Sequence, residues 1–152
     1  MSDAAATLRR LRLVLLGILV LGMSGTLAEL VLLAHDEDAV QLIPIVLLAL
    51  ALPVAAWTFV RPGVASIRSL QLLMVLFVIA GAAGVFYHYD ASVEFQRELE
   101  PELAGRALLW KVLQAKSPPA LSPGVMVQLG LLGLACVFRH PVLMKRTEGE
   151  AR

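Results

Sequence analysis

Glu29 is an ionisable residue set inside an apolar run, where such a group is costly and rare and is read first as a functional-site candidate. It lies about five positions below the outer end of that run, roughly 7–8 Å deep at about 1.5 Å of helix rise per residue. On a helical wheel Gly22, Gly25, Thr26, Glu29, Leu33 and Asp36 share one face. The small residues on that face allow another helix to come close, so Glu29 is expected to point into the protein rather than at lipid. His88 is its natural counterpart, sharing a face of the third apolar run with Ala80, Gly81 and Gly84. If the first and third runs meet through these small faces, Glu29, Asp36 and His88 form a common pocket suited to a ligand or a proton. Two structural readings compete. A buried carboxyl with a raised pKa can simply donate a hydrogen bond between helices. His88, between Tyr87 and Tyr89, can equally belong to an aromatic belt at the lipid head groups.

The second polar concentration is His35-Asp36-Glu37-Asp38. Hard carboxylates with an imidazole suit a divalent cation such as manganese or zinc. The candidate ligands are His35, Asp36, Asp38, His88 and Glu94. His35 falls on the opposite wheel face from Glu29, and a solvated acidic turn explains the cluster equally well. Gln41 is a further polar contributor. Asp90, Glu94 and Glu98 are placed to line a mouth, with Pro101 breaking the row before Glu102. There is no HExxH, P-loop, GxSxG or glycine-rich dinucleotide turn, so no catalytic residue and no cofactor is designated. The single cysteine, Cys136, excludes an internal disulfide or a thiolate cluster and reads as an apolar filler.

The elements that must position these residues are apolar. Hydrophobic residues make up 59% of the 152 and charged residues only 16%, against about a quarter charged in a soluble domain. Four spans are expected at about 11–34, 42–60, 70–87 and 123–138, the last being the shortest and extending to Met144 if Arg139 and His140 snorkel. Arg9, Arg10 and Arg12 before the first run resemble a signal peptide, but the run is too long for one and reads as an uncleaved helix. One side carries nine basic and three acidic residues, a balance of +6. The other carries four basic and eight acidic residues, a balance of −4, with Glu29 left out as intramembrane. The positive side, holding both termini and the 61–69 joint, is expected to be cytoplasmic. Between spans 3 and 4, residues 88–122 form an external segment. In it Leu103, Ala107, Trp110 and Leu113 recur at helical spacing, predicting an amphipathic helix over 101–116 that starts at Pro101 and stops at Ser117-Pro118-Pro119. The fold class is therefore all-α: one membrane domain over 1–152, a four-helix transmembrane bundle with an external amphipathic helix.

The runs GTLAELVLLAHDEDAVQLIP (Gly25–Pro44) and HYDASVEFQRELEPELAGRALLWKVLQAKSPPALSPG (His88–Gly124) resemble small, uncharacterised bacterial four-helix integral membrane proteins. The resemblance implies a bacterial inner-membrane setting and transfers no activity and no site residues. The functional expectation is a binding or accessory subunit with a polar pocket near the outer face, in contact with membrane lipid and with another membrane protein as a further candidate partner. The alternatives are a small proton- or cation-coupled transporter working through Glu29, and a membrane enzyme acting on a lipid or quinone. Lys and Arg are too few and too scattered for nucleic acid.

Overall fold

Helix α1, Asp3–Leu32, starts well before the apolar run does. Hydropathy marks where lipid begins, whereas the Ala4-Ala5-Ala6 and Leu-Arg residues ahead of it are strong helix formers, and Asp3 complements the dipole in the first turn. The computed structural model describes residues 3–33, 39–114 and 122–144, of which 89% are helical and none is in a strand. Helix α2 is Ala39–Val60, α3 is Val64–Leu99, α4 is Gly105–Leu113 and α5 is Ser122–Cys136.

Helices α1, α2 and α3 are each long and apolar enough to cross a membrane. Their most apolar windows are only 22%, 17% and 22% buried within the protein. Leu21, Leu32, Val60, Leu72 and Ile79 all point outward. A water-soluble fold hides such side chains, so an apolar coat of this extent identifies lipid as its solvent. Helix α5 is shorter, about 22 Å at about 1.5 Å per residue, against a hydrocarbon core of about 30 Å.

The α2–α3 joint is three residues, Arg61-Pro62-Gly63, and defines the lower end of the molecule. The Thr58 hydroxyl reaches Val54 O at 2.9 Å and Ser66 O at 3.2 Å, and the Gly63 N–H donates to Ser66 Oγ at 2.9 Å. The Thr58 and Ser66 hydroxyls and the Gly63 N–H are thus paired within the turn itself, which fixes the hairpin. At the upper end α3 runs past Tyr87 to Leu99 as one continuous helix, about 54 Å long in all. The third run, expected over about 70–87, thus continues as helix into the 88–122 segment: no Gly or Pro interrupts His88–Leu99, so nothing there stops a helix. Pro101 is what stops it, by excluding Glu100 from the α region; Glu100 sits at φ −139°, ψ 82°.

The helix expected over 101–116 is α4, with a different start and a different inner face. A turn in which the Leu103 N–H donates to Glu100 O at 3.0 Å delays it to Gly105, whose φ of +58° suits glycine. Leu103 then lies outside the helix. Leu108 and Val112, not Trp110 and Leu113, are buried, packing on Val93 with Tyr89 and Leu103 beside them. Trp110 is 63% exposed, and Ala107 and Leu113 are exposed as well. A Lys111–Glu100 ion pair with both side chains about half exposed adds little. Val112→Asp should release α4 from α3, seen as loss of hydrogen-exchange protection over 105–113 with α1–α3 unchanged. Retained protection would show that α4 is held by something other than this contact.

The core follows heptad-like steps. Ile67, Leu70, Met74 and Phe77 of α3, Leu48, Ala51 and Ala55 of α2, and Leu19 and Met23 of α1 are fully buried. Helix α3 packs on α5 and α2, and α1 packs on α2 and α5, whereas α1 and α3 make no comparable contact. The expected meeting of the first and third runs is thus replaced by two separate contacts with α5. A Cβ at Gly22 would lie 2.6 Å from Leu129 Cδ2, and one at Gly81 would lie 2.8 Å from Pro123 O and Val127 N. Helix α5 reciprocates, since a Cβ at Gly130 would be 2.7 Å from Met74 O. Small residues on both helices let backbones touch, which drives association where lipid is as apolar as the side chains.

At the lower end α5 gives way to a turn at Val137–Arg139, and a short helical turn covers 141–144. Arg12 of α1 donates to Phe138 O at 3.1 Å and Arg139 O at 3.3 Å, closing carbonyls that the end of a helix leaves open. His140 follows, and the Val142 N–H donates to its Nδ1 at 3.3 Å, which requires the neutral ring. Burial, and then the Arg12 charge, lower the His140 pKa below 6.5. A folded-state pKa below the unfolded one means that protonation favours unfolding. The stabilisation is complete above about pH 6.5 and is lost as pH falls through the window below it. Melting temperature should drop between pH 7.5 and pH 5.5, and His140→Gln should flatten that drop. An equal drop in the variant would assign the effect elsewhere.

Candidate functional site

The upper ends of α1, α2, α3 and α5 do not close on one another. The buried positions of α2 begin only at Leu48, so Val40, Ile43 and Val46 above it are exposed. A cavity of about 520 Å³ remains, within the usual range for small-molecule sites. Thr26 and Leu30 line it from α1, Val40, Gln41, Ile43 and Pro44 from α2, and Pro123 and Met126 from α5. Helix α3 contributes the longest edge, from Ala80, Gly81, Ala83 and Gly84 up to Tyr87, His88 and Ala91. The volume exists because α3 carries small side chains where it faces the gap. One turn below, Met23, Leu48 and Phe77 are fully buried, so the floor is solid.

Among the described residues the polar groups of the cavity are the Thr26 hydroxyl, the Gln41 amide, the Tyr87 phenol and the His88 imidazole. The other described lining residues are aliphatic side chains, glycines, prolines and the Met126 thioether. Such a surface takes an apolar body and offers a few hydrogen bonds to a polar head.

His88 lines this cavity as expected of a pocket residue, and Gln41 joins it. Glu29 does not. Helix α1 turns its Thr26–Leu30 edge to the cavity, and Glu29 is exposed on the adjoining flank. The expectation that it points inward among Gly22, Gly25, Gly81 and Gly84 is corrected. A Cβ at Gly25 would have nothing within 4 Å, because α5 reaches only as far round α1 as Gly22. Glu94 is exposed and lies beyond the cavity-lining stretch of α3. His35, Asp36 and Asp38 lie outside the described residues. Among the described residues no three His, Cys, Asp or Glu side chains converge as metal ligands.

Pro44, Ala83, Ala91 and Met126 are cavity residues that sequence reasoning did not single out. A signal existed for α3: Ala80, Gly81, Ala83, Gly84 and Ala91 place small side chains on neighbouring faces over three turns, more than one helix contact consumes. Compared with known proteins, the chain matches no family model, no curated protein and no solved structure.

Proposed function

We propose that this chain is a four-span protein of a bacterial inner membrane, with both termini cytoplasmic, that binds an apolar ligand with a small polar head in the cavity at its outer face. In this reading α5, extended by Val137 and Phe138, is the fourth crossing, and the four long helices form a bundle. The extension of α3 beyond Tyr87 and helix α4 then stand outside, and the protein acts as a binding or accessory subunit. The charge split of +6 against −4 supports the orientation. The observation that carries the binding reading is the aliphatic cavity with Thr26, Gln41, Tyr87 and His88 as its polar groups. A membrane lipid or an isoprenoid quinone has the matching chemistry.

An enzyme acting on a lipid or quinone is the second reading, favoured by the imidazole and phenol together at one cavity. Proton or cation carriage by Glu29 has less support, since that carboxyl lies outside the cavity and the core below the cavity is filled by Met23, Leu48 and Phe77. The test is native mass spectrometry and lipid extraction on the detergent-purified protein. A discrete bound species, enriched over its share of the membrane, supports binding. Only lipids in bulk proportion would count against it.

A further inference from the structure

A second cleft, of about 400 Å³, opens at the lower end between the start of α1 and the end of α5. Its walls are Leu8, Leu11, Leu15 and Phe138, and its charged groups are Arg12 and Arg139. One terminal nitrogen of Arg12 is fixed by Phe138 O and Arg139 O. That holds the guanidinium in place and leaves the donors on its other nitrogens for a ligand. Arg139 has φ 45°, a left-handed conformation uncommon for a residue with a side chain. Non-glycine residues held this way concentrate at ligand clamps and switches. Among the described residues neither arginine has a carboxylate at salt-bridge distance.

We infer that this cleft seats the phosphate head group of an anionic phospholipid of the cytoplasmic leaflet, held by Arg12 and Arg139. Guanidinium groups match phosphate in shape and charge and bind it through paired N–H donors. The apolar walls decide between the sources of phosphate, because Leu8, Leu11 and Phe138 beside the two cations provide a track for an acyl chain that a free anion would not use. Basic pockets between spanning helices on the cytoplasmic side are suited to such head groups, where the leaflet itself is anionic. The inference rests on the orientation proposed above but uses the opposite end of the molecule from the outer cavity. Ala80→Phe, which fills the outer cavity, should leave it untouched.

The test is native mass spectrometry of the full chain, titrated with phosphatidylglycerol, phosphatidylcholine or inorganic phosphate. The wild type should prefer phosphatidylglycerol to phosphatidylcholine by about tenfold or more, as expected for charge-assisted contacts, and Arg139→Gln should reduce that preference severalfold. Arg139→Gly, which accepts the left-handed backbone without strain, should lose the preference while keeping or raising the melting temperature. That separates lipid contact from folding. Equal retention of both lipids, or a preference unchanged in both Arg139 variants, would overturn the inference. So would saturation by millimolar inorganic phosphate that displaces the lipid, which would assign the site to a free anion. Lipid binding that emerges only after Glu148→Gln and Glu150→Gln would overturn it as well, assigning the two arginines to these carboxylates of the chain itself.

Discussion

Gly130→Ala should lower the melting temperature, Gly130→Leu should separate α3 from α5, and Gly25→Ala should leave stability unchanged or raise it. A methyl at Gly130 would meet Met74 O and Val78 Cγ2 at 2.7 Å and Phe77 Cβ at 3.1 Å. The first of these is backbone and cannot swing aside, so the helices must part. Overpacking of this kind costs about 1–3 kcal/mol, and a leucine more. Gly133→Ala should be milder, because its obstacles are side-chain atoms, mainly Met74 Sδ and Cγ, and not backbone. At Gly25 no atom lies within 4 Å, and alanine is the better helix former by roughly 1 kcal/mol. Thermal melts of the four variants in one detergent check the order. If Gly25→Ala is as damaging as Gly130→Ala, then α1 packs through the face that carries Glu29, and α5 does not sit where these contacts place it.

Ala80→Phe should abolish ligand retention in the outer cavity without unfolding the protein. Ala80 lines the cavity and is half-buried, so a phenyl ring has room where a ligand would otherwise sit. The discrete bound species should fall by about tenfold or more, since ligands in such sites bury most of their surface and a blocked pocket forfeits it. His88→Ala should weaken retention severalfold by removing one polar contact to the head group. Glu29→Gln should leave it unchanged, because Glu29 is outside the cavity. A wild-type level in Ala80→Phe together with a loss in Glu29→Gln would move the site to the exposed flank of α1.

Much of the element content is legible in the sequence because lipid imposes a length. The runs at 11–34, 42–60 and 70–87 correspond to α1, α2 and α3. Helix ends are less legible. Ala4–Arg10 and His88–Leu99 are helical without being apolar, and hydropathy is blind to them. Helix α4 is foreseeable but comes out rotated, because Pro101 suits the first turn of a helix yet acts as the terminator of α3. The candidate site is half legible. His88 and the small stripe of Ala80, Gly81 and Gly84 do line the cavity. Glu29 is misplaced for a definite reason: a stripe of glycines says that a helix comes close but not which one. Gly22 and Gly81 each find α5, and the wheel face that joins Gly22 to Glu29 opens outward above that contact.

Cysteine accessibility in intact cells tests the four-span arrangement most directly. Cys136 is the sole cysteine and is buried, so a Cys136→Ala background should be nearly silent. Single cysteines then replace Ala65, Glu94 and Met144, all exposed and lying respectively just after the α2–α3 turn, on the α3 extension and past α5. An impermeant maleimide applied from outside should modify Glu94→Cys and spare Ala65→Cys and Met144→Cys until the membrane is opened. Modification of Met144→Cys together with Glu94→Cys would mean that α5 does not cross. Modification of Ala65→Cys and Met144→Cys with Glu94→Cys protected would turn the molecule over and place its cavity on the cytoplasmic side.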